Sequence, residues 1–369
     1  MQSKKRTSKL KGFIFSITAI LMGLIAVLVL SEIVLRLAGI TPFHRNALNS
    51  FHVADPYLGW KGLKNFSGIL AKANFRALIS FDQNGYRKKT SKVEPKSNAV
   101  KIVFQGDSFA WGWGVSQGEL LTDLLQDKFG ENYNIMNYGI NTFGTVQEKL
   151  QLQREILPLK PRYVGLLIYS NDFQDNLNGR NNNRPYCVVE GNTVVLKNMP
   201  IENPIGSLYR SFTRMSYALT HLRYYHNYFK EYLKMFARLF KKTHPVTHSA
   251  TQDEIDITLG RDEIFVFEHY FELINRICIK NNIHLFIVYV PTGHVIGQGG
   301  KGVRDPYYQI VKKACDRHRI KLINLNPAFR KRVTGKHGEP LYFSKDPHWS
   351  AAGHRLAAEV IYQSLKDRL

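Results

Sequence analysis

The sequence Lys101-Ile-Val-Phe-Gln-Gly-Asp-Ser-Phe-Ala-Trp-Gly-Trp-Gly114 joins a short apolar run to a loop rich in glycine and tryptophan, and a helical pattern begins just after it, near Gln117. The apolar residues 102–104 predict a buried strand that ends at Gly106-Asp107-Ser108. In open α/β sheets, ligands bind at the carboxyl ends of the strands, where the next helix offers free N–H groups. Ser108 is therefore a candidate nucleophile, although Gly, Asp and Ser also favour ordinary turns.

Apolar runs and helical patterns alternate along the chain after Lys101. The apolar runs lie at 102–104, 134–138, 163–169, 283–290 and 320–325, and the helical patterns lie near 117–129, 145–156, 263–280, 305–318 and 350–365. This alternation predicts an α/β fold with three layers, α/β/α, in which helices cover both faces of a parallel sheet.

A histidine and a carboxylate that could serve Ser108 lie near the other end of the chain. Asp346-Pro347-His348 stands just before the last helical pattern. Two residues apart, the carboxylate and the imidazole can face each other across a tight turn that Pro347 would stiffen. We therefore predict Ser108 as nucleophile, His348 as general base and Asp346 as the residue that orients His348. Taken singly, a histidine in a loop would be an ordinary surface residue.

Four motifs resemble those of the SGNH, or GDSL, hydrolases, in the order in which that family carries them: Gly106-Asp-Ser-Phe109, Asn137-Tyr-Gly139, Ser170-Asn-Asp172 and Asp346-Pro-His348. The resemblance implies a flavodoxin-like parallel sheet and a Ser-His-Asp site that processes acyl esters. It also implies an oxyanion hole formed by the backbone N–H groups of Ser108 and Gly139 and the side-chain amide of Asn171. Many members carry Asp-x-x-His, whereas this chain has Asp-x-His followed by Trp349. That shorter form resembles the SGNH-like proteins that modify cell-surface polysaccharides.

Four more residues near these motifs are candidates for lining the substrate site: Asp107, Trp111, Trp113 and Trp349. We expect Asp107 to orient the turn and not to act as a second base. The three tryptophans could line an acyl or sugar pocket, although large aromatic residues near a sheet edge often only pack. No zinc-ligand spacing is present and we expect no cofactor; His244 and His248 could share a helix face and bind a metal, but Pro245 argues against that helix.

The N-terminus predicts a membrane anchor. Residues 1–11 form a basic tail, and no charged residue occurs from Gly12 to Ser31. A helix of that length rises about 1.5 Å per residue and so spans a hydrocarbon core of about 30 Å. We predict a transmembrane signal anchor over 12–37, since a buried core helix is the less favoured alternative. The basic residues before the span place the N-terminus in the cytoplasm and the rest of this single-pass protein in a periplasmic or extracellular space.

Two segments complete the predicted domain organisation. Residues 38–100 form a leader segment, and residues 101–369 form the SGNH hydrolase-like domain, interrupted by an insertion at about 173–260. The insertion contains a predicted hairpin over 187–196 and a Tyr- and Arg-rich helical stretch over 207–242. As a lid or substrate platform it would offer tyrosines that stack on sugar rings and arginines that hold acidic groups: Tyr209, Tyr217, Tyr224, Tyr225, Arg210, Arg214 and Arg223. The alternative is a solvated, partly membrane-facing helical pair.

The net charge of the chain indicates which partners it could bind, and its cysteine count limits disulfide pairing. The formal net charge is +22 at pH 7, which fits anionic membrane headgroups or an acidic polysaccharide. We expect no nucleic-acid partner, because no recognition module is present. The three cysteines, Cys187, Cys278 and Cys315, cannot all pair, and Cys278 and Cys315 are most simply small buried residues.

The sequence leads to one main functional prediction with two alternatives. The main prediction is a membrane-anchored esterase that removes O-acetyl groups from an acylated cell-envelope carbohydrate. One alternative is an O-acetyltransferase to an exopolysaccharide, which requires a partner of polysaccharide biosynthesis or acyl transfer to supply the acyl group, since a serine acyl-enzyme can be resolved by a sugar hydroxyl as well as by water. The other alternative is a non-catalytic polysaccharide-binding or assembly protein, because a fold does not establish an activity.

Overall fold

The computed structural model describes residues 2–40, 43–44, 50–179, 183–201, 216–240, 259–297, 305–334, 339–344 and 346–368. The chain forms two compact units, one of residues 1–45 and 207–248 and the other of residues 46–206 and 249–369.

The described strands are β1 (Phe43–His44), β2 (His52–Asp55), β3 (Gly59–Gly62), β4 (Ser67–Ala71), β5 (Arg76–Ser80), β6 (Val100–Gln105), β7 (Tyr133–Asn137), β8 (Tyr163–Ile168), β9 (Tyr186–Glu190), β10 (Thr193–Lys197), β11 (His284–Tyr289) and β12 (Lys321–Asn324). The described helices are α1 (Gln2–Leu37), α2 (Ser108–Trp111), α3 (Leu121–Phe129), α4 (Thr145–Gln151), α5 (Asn171–Asp175), α6 (Tyr217–Phe240), α7 (Arg261–Lys280), α8 (Pro306–His318), α9 (Asn326–Thr334) and α10 (Ala351–Leu365).

The first unit consists of α1, β1 and α6. Of the described residues, Lys11–Leu37 is the one helical stretch that is long and apolar enough to cross a membrane, and none of its apolar window is buried. Because a row of apolar side chains exposed to water is unfavourable, this finding agrees with the predicted span without establishing it.

The second unit is built on a parallel sheet. Within the described residues, five strands lie in the order β12-β11-β8-β6-β7, and each neighbouring pair is parallel. These strands correspond to the five predicted apolar runs, so the prediction of a parallel α/β fold is confirmed. Phe104 on β6 is paired with Gly165 on β8 and with Asn137, the last residue of β7, so β6 and β7 end at the same edge of the sheet.

Two hydrophobic clusters cover the two faces of this sheet. Val103 packs in the cluster that includes α4, α7 and α8, whereas its neighbours Ile102 and Phe104 pack in the cluster that includes α3, α9 and α10. The split follows from the strand geometry, since successive side chains point to opposite faces. Full burial of each large apolar side chain contributes about 1.5–3 kcal/mol, which explains why the sheet is apolar on both sides.

Residues 46–100, which are most of the predicted leader segment 38–100, cluster with the sheet in the second unit. They form the β2–β3 and β4–β5 antiparallel pairs. The core of the β4–β5 pair packs on the buried ring of Trp111. Arg87 is buried and donates hydrogen bonds to the carbonyls of Trp111, Gly112 and Val115. This segment therefore supports the loop that follows Ser108.

The described part of the insertion includes the predicted hairpin, which the structure places at β9 and β10 in antiparallel register. Residues 202–215 and 241–258 lie outside the described residues, and with them Tyr209, Arg210, Arg214, His244 and His248. The side chain of Arg223 is likewise not described, so the roles of the insertion as lid or platform stay predictions. All three cysteines are buried free thiols.

Candidate active site

The turn between β6 and α2 presents Ser108. Gly106 has φ +152°, a backbone conformation that L side chains rarely adopt, and an added Cβ would lie 3.0 Å from the Cβ atoms of Ala110 and Leu167. Asp107 caps α2, because its carboxylate accepts a hydrogen bond of 2.9 Å from the backbone N–H of Phe109. The turn thus places Ser108 as the first residue of a helix at the carboxyl end of a central strand.

Ser108, His348 and Asp346 form a continuous hydrogen-bonded row. His348 Nε2 lies 2.7 Å from Ser108 Oγ, and His348 Nδ1 lies 2.5 Å from Asp346 Oδ1. The same carboxylate oxygen accepts the backbone N–H of His348 at 3.1 Å, which closes the tight turn expected from the two-residue spacing. The Ser108 hydroxyl has a second acceptor, Asp107 Oδ2, at 3.2 Å, and the shorter contact favours the imidazole.

The electrostatics of Asp346 suit an orienting carboxylate. Burial raises the pKa of Asp346, but the hydrogen bonds and charge of His348 and the bond from Trp113 outweigh burial, so the pKa lies below its usual value. An ionised Asp346 favours the imidazole tautomer with its proton on Nδ1, which leaves Nε2 free to accept the serine proton.

Trp113 joins this row in a way the sequence reasoning missed. Its indole Nε1 donates a hydrogen bond of 3.0 Å to Asp346 Oδ2, the carboxylate oxygen that His348 does not use. Its ring centroid also lies 5.2 Å from that of His348, and the ring of Phe109 lies 5.0 Å from the same imidazole. Trp113 therefore holds both the carboxylate and the imidazole in position. The hydrogen bond between Trp113 and Asp346 joins residues 233 positions apart, so no local sequence pattern predicts it.

Of the two roles considered for Trp111 and Trp349, packing and lining a substrate pocket, the structure agrees with packing. Both side chains are fully buried. Trp349 packs between Phe109 and Phe329, and Trp111 packs in the cluster of the β4–β5 pair. Apolar burial of these large rings leaves no face open to a substrate in this conformation.

Gly139 lies directly against α2. An added Cβ would come within 2.3 Å of the backbone nitrogen of Trp111, so only glycine fits. Its N–H donates to Asn137 Oδ1 at 2.9 Å, and Asn137 Nδ2 donates in turn to the carbonyl of Ala110 at 2.8 Å. Asn137 thus fixes the distance between Gly139 and the serine helix, a role that sequence reasoning did not assign to it.

The three predicted oxyanion donors differ in whether they already donate a hydrogen bond. The backbone N–H of Ser108 has no hydrogen-bond acceptor among the residues that the structure describes. The N–H of Gly139 is held by Asn137, and Asn171 Nδ2 donates to Asp175 Oδ2 at 2.9 Å. Asp175 is itself paired with the buried Arg184 at 2.9 Å. The oxyanion hole stays a prediction. Asn137 occupies the N–H of Gly139, whereas Asn171 Nδ2 carries two N–H donors, of which the bond to Asp175 uses one.

Several carboxyl groups are buried near this edge of the sheet. Burial raises the pKa of Asp107, Glu148 and Asp172 above their usual values. Asp107 is therefore a weaker source of negative charge for His348 than Asp346 is, and its contacts with Phe109 and Ser108 agree with the turn-orienting role expected for it. Within the described ranges, no group of three or more His, Cys, Asp or Glu side chains is placed to hold a metal ion.

No protein-family model matches this sequence, and no curated protein is significantly similar to it. Solved structures that are similar to it include an acetyl xylan esterase, with 14% identity over 72% of this chain and 100% of the other and a TM-score of 0.42. A lipolytic protein of the G-D-S-L family from Desulfitobacterium hafniense has 10% identity over 72% of this chain and 99% of the other, with a TM-score of 0.39. A catalytic mutant of an acetylxylan esterase from Geobacillus stearothermophilus has 14% identity over 74% of this chain and 95% of the other, with a TM-score of 0.39.

The sheet and the site together define a class of protein. The second unit is an α/β domain that carries a hydrogen-bonded serine, histidine and aspartate at the carboxyl edge of a parallel sheet. Such a row can take a proton from a hydroxyl and return it to a leaving group.

Proposed function

We propose that this chain is a membrane-anchored serine esterase of SGNH type that removes O-acetyl groups from a cell-envelope carbohydrate. The observation that carries the proposal is the row from Ser108 Oγ through His348 to Asp346, with contacts of 2.7 and 2.5 Å. Distances in this range allow proton transfer between serine and imidazole without a further rearrangement.

The proposed reaction follows from this row. His348 Nε2 takes the proton of Ser108 as Oγ attacks the ester carbonyl, and the carbonyl π electrons move to the oxygen. As the tetrahedral intermediate re-forms its carbonyl and the C–O bond to the sugar breaks, His348 gives that proton to the departing sugar oxygen, which releases the sugar hydroxyl and leaves an acetyl-serine. Water, activated by the same imidazole, cleaves the acetyl-serine to acetate and free serine. The N–H of Ser108 and the second Nδ2–H of Asn171 support the tetrahedral oxyanion, and the N–H of Gly139 adds to them once Asn137 releases it.

The proposed location and substrate depend on the N-terminal helix and on charge. The unburied apolar helix Lys11–Leu37 supports membrane anchoring, with the N-terminus cytoplasmic and the catalytic unit periplasmic or extracellular. The net charge of +22 supports an anionic membrane or polysaccharide as neighbour. The proposed substrate is an acetylated carbohydrate of the cell envelope.

The test is hydrolysis of a chromogenic acetyl ester by the full chain in detergent. We expect turnover by the wild type and a loss of several orders of magnitude in Ser108→Ala and in His348→Ala. His284→Ala is the matched control, because His284 is an exposed histidine at the amino end of β11, and this variant should keep full activity. The proposal is overturned if the wild type neither hydrolyses the reporter nor becomes labelled at Ser108 by a fluorophosphonate. Added acetyl acceptor oligosaccharides show whether acetyl groups go to water or to a sugar.

A further inference from the structure

Helix α6 exposes a stripe of large apolar side chains. Leu222, Tyr225, Phe229 and Leu233 are 62%, 58%, 59% and 49% exposed. Their spacing of three, four and four residues places them on one side of a helix. We call these four residues the α6 stripe. Exposed apolar side chains that lie in a continuous row mark a surface that another phase or molecule covers.

A second side of α6 carries basic residues. Within Tyr217–Phe240 the sequence carries four Lys and Arg residues, Arg223, Lys230, Lys234 and Arg238, against one acid, Glu231. At 3.6 residues per turn these basic positions fall on a side of the helix next to the α6 stripe. Lys230 is exposed to solvent in the structure. An apolar row beside Lys and Arg, with aromatic residues among the apolar positions, is typical of helices that lie in a membrane surface.

The start of α6 is fixed to the end of the proposed membrane span. Glu32, on the next-to-last turn of α1, accepts hydrogen bonds from Ser216 Oγ and from the backbone N–H of Ala218, both at 2.9 Å. The guanidinium of Arg36 lies 4.5 Å from the centre of the Tyr217 ring and pairs with Glu32 at 2.6 Å. The carboxylate thus caps the helix N-terminus, where a negative charge is favourable. As α1 ends at Leu37, α6 begins at the level where the span would leave the bilayer.

We infer that α6 lies in the surface of an anionic lipid bilayer, with the α6 stripe in the lipid and the basic side facing the headgroups. This inference rests on the proposed membrane anchoring and is independent of the esterase activity. The lipid is the occupant because the helix is attached at the end of α1 and because its basic residues are complementary to anionic headgroups. A second copy of the chain or another protein on the α6 stripe is the competing outcome.

The experiment places nitroxide spin labels on single cysteines of the full chain in vesicles of phosphatidylethanolamine and phosphatidylglycerol. The labelled variants are Leu222→Cys and Leu233→Cys on the α6 stripe, Lys230→Cys on the basic side and Leu21→Cys in the middle of α1. The three native cysteines are buried and should therefore react little with the spin label. Labelling of the wild-type chain measures this background directly. Collision with oxygen, which partitions into lipid, is compared with collision with a water-soluble nickel chelate.

We expect the labels at 222 and 233 to be accessible to oxygen and shielded from nickel, at a depth of about 5–10 Å below the headgroups. The label at 230 should show the reverse preference. Equal exposure of 222, 230 and 233 to nickel, with the label at 21 in the lipid, would overturn the inference and leave the anchoring intact. Spin–spin broadening between copies at 222 and 233 would overturn it in favour of self-association. A water-exposed label at 21 would overturn the anchoring and this inference together.

Discussion

Replacing Trp113 by phenylalanine isolates one hydrogen bond to Asp346, the proposed orienting carboxylate. The change removes the Nε1–H that donates to Asp346 Oδ2 at 3.0 Å and keeps an aromatic ring beside His348. A hydrogen bond to a charged group contributes about 1.5–3 kcal/mol. The side chain of Asp346 is 17% exposed, so we take the lower part of that range, about 1.5–2 kcal/mol. At about 1.4 kcal/mol per factor of ten, kcat/KM for an acetyl ester should fall about 10- to 30-fold.

The same substitution should also move the pH profile. The bond from Trp113 contributes to the lowered pKa of Asp346, so its loss raises that pKa toward the usual value. This higher pKa moves the acid limb of the kcat/KM profile to higher pH, because Asp346 must be ionised to orient the imidazole that accepts the serine proton.

The assay is the pH dependence of kcat/KM for the chromogenic acetyl ester, with thermal unfolding recorded for each variant. Trp60→Phe is the matched control, because the indole of Trp60 also donates a 3.0 Å hydrogen bond, to the carbonyl of Asn141, and contacts neither Asp346 nor His348. We expect this control to lower the unfolding temperature without moving the acid limb. If Trp113→Phe stays within about twofold of the wild type and its acid limb does not move, Trp113 only packs and does not position the triad.

Three further predictions concern stability and fit. Burial, and then the charges of Arg87 and His348, lower the pKa of His354 from 6.5 to about 3. Below pH 6.5 the unfolded chain therefore binds a proton at this residue that the folded chain does not bind. Stability should fall by up to about 1.4 kcal/mol per pH unit through that window; urea unfolding at pH 7 and 5 should show a smaller decline in His354→Gln, and an equal decline would contradict the assignment. Burial raises the pKa of Glu148, whose carboxyl oxygens have no hydrogen-bond partner among the described residues. Above pH 4.5 the unfolded chain releases a proton that the folded chain still holds, so the free energy of unfolding falls as pH rises. Glu148→Gln should therefore stabilise the chain more at pH 8 than at pH 5, and a larger gain at pH 5 would refute this. In Gly139→Ala the new Cβ would meet the backbone nitrogen of Trp111 at 2.3 Å, so both the unfolding temperature and ester hydrolysis should fall, and an unchanged variant would show that the two segments are not in contact.

The sequence predicted the central sheet well because apolar runs and helical periods are local properties. The apolar runs at 102–104 and 163–169 became β6 and β8, and the helical patterns near 117–129 and 350–365 became α3 and α10. The strands of residues 46–100 were not predicted. They are four or five residues long and are held by cross-strand pairing and by contacts with the loop after Ser108, which a local pattern does not record. Helix α9 was missed for a similar reason, since it contributes few apolar residues, chiefly Phe329, to its cluster.

For the candidate site, the sequence alone determined residue types and their order: a serine after a strand, an asparagine after another, and an aspartate two residues before a histidine. Only the tertiary structure decided which atoms meet. It joined His348 to a serine 240 positions away, gave Trp113 to Asp346 as a donor, and buried Trp349 although it adjoins the histidine. The physical reason is that a hydrogen bond depends on distances within a few tenths of an ångström. Local spacing sets such distances inside one turn, as it does between Asp346 and His348, but between remote segments they depend on how helices and strands pack.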